Sequence, residues 1–103
     1  MKKKPKDYQE AIKLLDAMLS QKQKDDMLEY DESEVGACLY FSLGIRIKNN
    51  WILDTSSPLG QHILSKNPKD IDEYVRLIIK IYHRYLNGKS IKLDAELHRI
   101  EAN

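Results

Sequence analysis

Cysteine occurs once in these 103 residues, so the chain can form no internal disulfide framework and has no cysteine pair to hold a metal. Glycine is scarce as well. The four glycines, at 36, 44, 60 and 88, have neither the Walker nor the dinucleotide spacing, which excludes a phosphate-cradling loop of either kind. The three histidines, His62, His83 and His98, lie in three different expected helices, with no HExxH and no i, i+4 pair. Ser42, Ser56, Ser57 and Ser65 lack the strand-turn-helix elbow of a serine nucleophile. No catalytic residue, metal or cofactor is therefore expected. An excess of one charge is missing too: seventeen basic side chains face sixteen acidic ones, so no bulk field draws the protein to nucleic acid or anionic lipid. No apolar run approaches the roughly 18 residues needed to cross a bilayer. The basic start Met1-Lys2-Lys3-Lys4-Pro5-Lys6 is followed by Asp7, Gln9 and Glu10, where an export signal requires apolar residues. A cytoplasmic protein is expected, and Cys38, among Ala37, Leu39, Tyr40 and Phe41, is expected in its core.

What the chain does contain is the composition of an ordinary globular domain, 42% hydrophobic and 32% charged. The expected organisation is a basic N-terminal arm over residues 1–6 and one helical domain over 7–103, an all-α bundle of about five helices. Asp7 with Glu10 makes a capping-box-like start for a helix over about 7–20, carried by Ile12, Leu15, Met18 and Leu19. Gln21 to Tyr30 suits a short helix or an ordered connection. Ser57-Pro58 opens a short helix ending near Lys66. Asn67-Pro68 opens the strongest one, over 68–87, whose apolar residues cover roughly 200° of the wheel and make it the central scaffold; Gly88 is its C-cap. Leu93, Leu97 and Ile100 mark a terminal amphipathic helix. Between Ser33 and Lys48 the apolar residues surround the wheel, as in a central helix, and Gly36 and Gly44 then suit close approach of another backbone. A strand over Ala37–Ile47 is the competing reading.

The stretch from Leu43 to Leu53 is the most informative, because it sets Arg46, Asn49, Asn50 and Trp51 among large hydrophobes. On a helical wheel Arg46 falls with Leu39 and Leu43, on the face expected to be inside, where it needs a carboxylate; Asp54, Asp72 and Glu73 are the candidates. Arg46, Asn49, Asn50, Trp51 and Asp54 therefore form a candidate polar cluster. It reads either as a structural knot or as a pocket for a ligand or partner group, with Trp51 as the recognition aromatic.

Charge is unevenly placed along the chain. Asp25, Asp26, Glu29, Asp31 and Glu32, with Glu34, crowd one stretch, and Arg76, Lys80, Arg84, Lys89 and Lys92 occupy another. These are either solvated faces that neutralise one another or contact surfaces. In Tyr82-His83-Arg84-Tyr85 the tyrosines fall on the apolar side and His83 with Arg84 on the polar side.

Leu43-Gly44-Ile45-Arg46, then Asn49-Asn50-Trp51 and Leu53, then Asn67-Pro68 and Asp70 before a helix ending Tyr82-His83-Arg84-Tyr85-Leu86-Asn87-Gly88, resemble a family of small bacterial domains of unknown function. That family carries an LG-x-x-(I/L)RN-x-W-like core and a PDD-like helix start. Here Ile47-Lys48 stands between the arginine and the asparagine, and Lys69 and Ile71 flank the single Asp70. The resemblance covers most of residues 8–88 and brings no activity with it; in scale and composition such domains are similar to immunity proteins. The expected function is a non-enzymatic protein-protein interaction domain, with neutralisation of a toxin as its concrete form and Asp25, Asp26, Glu29, Asp31 and Glu32 as the contact residues. A nucleic-acid accessory role through Arg76, Lys80, Arg84 and the Lys2–Lys6 arm, and small-ligand sensing at Arg46 and Trp51, are the alternatives.

Overall fold

The helix with the widest apolar face is the one everything else packs on. In the computed structural model, which describes residues 3–66 and 70–101, it runs Ile71–Leu86 and buries Tyr74, Val75, Leu77, Ile78, Ile79, Ile81, Tyr82 and His83. Its expected Asn67-Pro68 start lies outside the described residues; the observed N-cap is Asp70, whose carboxylate accepts from the Glu73 N–H at 3.2 Å. Gly88, at φ +70°, follows the C-cap Asn87, as a residue in the left-handed region should.

Around this scaffold lie α1 (Tyr8–Met18), α2 (Gln21–Leu28), α3 (Val35–Cys38), a π-helical turn (Tyr40–Gly44), α4 (Ile45–Ile47), a second π turn (Lys48–Ile52), α5 (Pro58–Lys66), the central α6 (Ile71–Leu86) and α7 (Leu93–Glu101). The fold is all-α, with no strand among the described residues. α6 touches α1, α2, α3, both π turns, α5 and α7, which makes the domain one core with one axis. Asp7 caps α1 as expected, accepting from the Glu10 N–H at 2.8 Å, but Glu10 answers to the Lys6 N–H rather than to that of Asp7. The 21–30 stretch is a helix, opened by a full capping box between Ser20 and Gln23. Ser57 caps α5, its hydroxyl accepting from the Gly60 N–H at 3.3 Å.

Residues 35–52 settle the choice between helix and strand, and do so with an unusual backbone. The N–H of Gly44 reaches the carbonyl of Leu39 at 3.0 Å, that of Ile45 reaches Tyr40, and that of Leu53 reaches Lys48 at 2.9 Å, each five residues back. These are π-helical bonds, and they widen the helix. Their effect is on register. The side of this helix facing the core carries Val35, Leu39, Leu43, Ile47 and Trp51, at intervals of four; all are buried except Leu39, which is half-buried. At 3.6 residues per turn each interval would drift about 40°, so Val35 and Trp51 would end about 160° apart. The π turns cancel that drift and keep one continuous stripe against α6. Ile47 and Ile52 are fully buried by it, each contributing about 1.5–3 kcal/mol. On the flank, Tyr40 and Lys48 both reach Asp72 in the first turn of α6, at 2.5 and 3.1 Å. The Tyr40 hydroxyl first, then Lys48, hold the Asp72 carboxyl below its usual range.

Four expectations about side-chain placement are corrected by this geometry, the simplest being Tyr85, which is 47% exposed although the wheel sets it on the apolar side with Tyr82. Arg46 is exposed rather than inside: a wheel of 3.6 residues per turn aligns it with Leu39, whereas a four-residue repeat leaves it about a quarter turn away. Cys38 is exposed, not core, because it lies three residues after Val35 and outside the four-residue stripe. His83 is buried instead of facing water. Its Nε2 lies 3.0 Å from the carbonyl of Tyr30, which can only accept, so Nε2 carries the proton, and Asn87 Nδ2 approaches Nδ1 at 3.4 Å.

Close backbone approach occurs where the glycines allow it. A Cβ on Gly36 would sit 3.0 Å from the Cβ of Arg76 and 3.1 Å from its carbonyl oxygen, so α3 lies directly on α6. At Gly60 a Cβ would sit 2.5 Å from the carbonyl oxygens of Trp51 and Ile52, which locks α5 against the second π turn.

Candidate functional site

Two helix faces diverge where α2 and the π-containing helix leave the core, and a groove of about 370 Å³ lies between them. One wall is Gln23, Asp26, Met27 and Tyr30; the other is Leu39, Ser42, Leu43 and Arg46; Leu19 completes the lining. Both walls space their residues i, i+3, i+4, i+7, with Tyr30 just past the end of α2 and Arg46 about a quarter turn from Leu39, at the groove's edge. Met27 and Leu43 are buried and Leu19 and Leu39 half-buried, giving an apolar floor, while Gln23, Asp26, Ser42 and Arg46 are exposed along the rim and Tyr30 is 39% exposed. Phe41, next to Ser42, is 85% exposed, far more than any other large hydrophobic side chain described.

Arg46 is set apart by its electrostatics. Arg76 meets Glu73 at 2.8 Å, Arg84 meets Glu32 at 2.6 Å and Arg99 meets Glu96 at 3.2 Å. Among the described residues no carboxylate pairs with the Arg46 guanidinium, while its backbone carbonyl accepts from Asn50 Nδ2 at 2.9 Å. The groove thus carries an uncommitted cation beside apolar surface. Asp26 is the anion on the opposite wall, held by exposed Lys22 at 3.4 Å; such a pair contributes little and is easily exchanged.

The rest of the expected polar cluster belongs to a different junction. Trp51 is fully buried and donates its indole N–H to the Lys3 carbonyl at 3.2 Å. Lys4 donates to the Asn50 carbonyl at 2.9 Å and pairs with Asp54 at 3.0 Å, and the Pro5 carbonyl accepts from the Leu59 N–H at 3.1 Å. Asp54 also accepts from the Ser56 hydroxyl and N–H at 2.6 and 2.8 Å. Ser56 chiefly, then Lys4, lowers the Asp54 carboxyl to about 2. Trp51 and Asp54 therefore anchor residues 3–5, Asn49 is exposed, and Arg46 takes no part. None of the three carboxylates expected to meet Arg46 does so: Asp54 goes to Lys4, Asp72 to Lys48 and Glu73 to Arg76.

The acidic stretch divides as well. Asp26 faces the groove; Asp25 accepts from Gln21 at 2.9 Å; Glu29 is exposed; Asp31 turns the chain into α3 by accepting at its carbonyl from Glu34 and Val35. Glu32 meets the basic stretch instead, pairing with Arg84 and, at 4.0 Å, with Lys89. Lys80 is paired with Glu96 at 2.8 Å. Arg76, Lys80, Glu32, Glu73 and Arg99 line a second, polar hollow of about 300 Å³ beside Gly36, where Glu73 pairs with Arg76 and Arg99, Lys80 with Glu96 and Glu32 with Arg84.

Sequence reasoning missed the groove as a unit because its walls come from two segments that no local signal relates, each mixing polar and apolar residues. It also missed Asp16, which ties three helices by accepting from Lys24 at 3.1 Å and from Tyr82 at 3.1 Å; Lys24 leads in lowering its carboxyl. No helix among the described residues is long and apolar enough to cross a membrane, and no group of three His, Cys, Asp or Glu residues among them could hold a metal ion.

A family model described as "Domain of unknown function (DUF6794)" matches residues 4–86, so this chain belongs to that family. No curated protein and no solved structure matches it.

Proposed function

We propose that this domain is a non-enzymatic binding module whose partner is another protein, received in the groove between α2 and the π-containing helix. The observation that carries the reading is the arginine without a carboxylate beside an apolar floor: an exposed Arg46 next to Leu19, Met27, Leu39 and Leu43 is the composition of an interface anchor. Exposed Phe41 extends the apolar surface. Asp26 and its exposed neighbours Asp25 and Glu29 give the same edge the negative potential that steers a basic rim of a partner. Neutralisation of a bacterial toxin in the cytoplasm is the concrete form of this activity, and an exposed thiol at Cys38 is compatible with a reducing compartment. Phosphate binding has less support, because Arg76, Lys80 and Arg84 are each engaged by a carboxylate.

Affinity purification of the tagged chain from its native cells tests the reading, with wild type run beside Arg46→Glu and beside the triple reversal of Asp25, Asp26 and Glu29 to lysine. A partner retained by wild type and lost from Arg46→Glu is expected, with weaker recovery by the triple variant. That partner, expressed alone, should arrest growth, and co-expression of this chain should restore it. Equal recovery by all three proteins would overturn the assignment to the groove.

A further inference from the structure

Resting on the reading above, the geometry points to the kind of partner segment the groove takes: an amphipathic helix of about two turns, bearing a carboxylate that meets Arg46. Length comes first. The α2 wall belongs to a helix of eight residues, about 12 Å long, so it offers about two turns of contact. Two helices standing apart over an apolar floor present the space that a third helix fills in a bundle.

Backbone chemistry then chooses between a helix and an extended peptide. An extended segment laid on Met27 and Leu43 would need main-chain partners, and no strand edge exists among the described residues to supply them. A helix brings its backbone hydrogen bonds already made and has only side chains to present. Charge chooses the face. The guanidinium of Arg46 has no carboxylate partner among the described residues, whereas the other three arginines each have one, so an Asp or Glu beside the apolar stripe gains an ion pair without displacing an existing one. Asp26, on the facing wall, is held only by exposed Lys22 and disfavours a second acid on that side.

A displayed library of randomised 14-residue helical peptides, selected against the full chain, tests this; enriched peptides are then titrated by fluorescence anisotropy. Enriched sequences are expected to share an apolar i, i+3 or i+4, i+7 stripe flanked by an acid. Changing that acid to lysine, or Arg46→Glu in the protein, should weaken binding about tenfold or more. Combining the two reversals should restore most of it, which also shows the variant to be folded. Enrichment of proline-rich or acid-free peptides, affinity indifferent to Arg46, or no enrichment at all would overturn the inference. So would a dimer in sedimentation velocity that Arg46→Glu dissociates, or dodecanoate binding alone in an Arg46-dependent way, since the occupant would then be a second copy or a free carboxylate. A native partner lost from Arg46→Glu without any helical peptide enriched sinks this inference and leaves the protein-binding reading standing.

Discussion

The indole N–H of Trp51 donates to the backbone carbonyl of Lys3 across 3.2 Å, although 48 residues separate the two in sequence. Trp51 is fully buried, so its N–H has no water to fall back on. Deleting residues 1–5 removes this acceptor, the Pro5 carbonyl and the Lys4 ammonium together. A stranded buried donor costs about 1–3 kcal/mol, and the denaturant midpoint should fall accordingly, with tryptophan emission shifting to the red as solvent reaches the ring. An unchanged midpoint and spectrum would show that the N-terminal residues do not hold Trp51.

The same junction has a signature in pH. The Asp54 carboxyl is depressed in the fold, from 3.8 to about 2, by Ser56 first and Lys4 after it. For a depressed acid the stabilisation is fully present above the unfolded value and disappears as pH falls through the folded one, here between about 4 and 2. Carboxyl-carbon NMR should therefore give Asp54 a midpoint near 2, raised by Ser56→Ala and by Lys4→Met. A midpoint at the ordinary 3.8 would contradict the network.

Glu32 and Asp25 are both acids of one stretch, yet they should behave oppositely. The Arg84 side chain is only 15% exposed and pairs with Glu32 at 2.6 Å, while Asp25 is exposed on α2. Glu32→Gln should cost about 1–3 kcal/mol by weakening the hydrogen bond to a largely buried cation. Asp25→Lys should stay within about 0.5 kcal/mol of the parent. Urea melts of the two variants separate the cases, and equal effects would refute the division of the acidic stretch into a structural and a surface part.

Much of the architecture was legible because it depends on features that local sequence states directly. Ser57-Pro58, Asp7 with Glu10, and the apolar wheel of the 71–86 helix are caps and periodicities, and they produced the elements expected of them. A glycine within an apolar helix, as at Gly36, marks a point of close approach, and the backbone of Arg76 lies there. The site was harder, for a reason that Arg46 illustrates. A wheel assumes 3.6 residues per turn, and a π turn is a change of pitch set by what the helix packs on, in this case α6, Val75 and Ile79 under Gly44, and Asp72 between Tyr40 and Lys48. The one local hint was the pair Ile47-Lys48, standing between Arg46 and Asn49 just where the second π turn begins. The groove needed contacts between segments, since nothing local relates Met27 to Leu43.

Central to this account is that the π turns rotate Arg46 out of the core and leave it available to a partner. The most direct test is the denaturant midpoint of Arg46→Met. A surface arginine without a carboxylate predicts a change within about 0.5 kcal/mol. A loss of about 3–5 kcal/mol, the cost of removing one member of a buried ion pair, would return Arg46 to the interior and contradict the groove as its site of action.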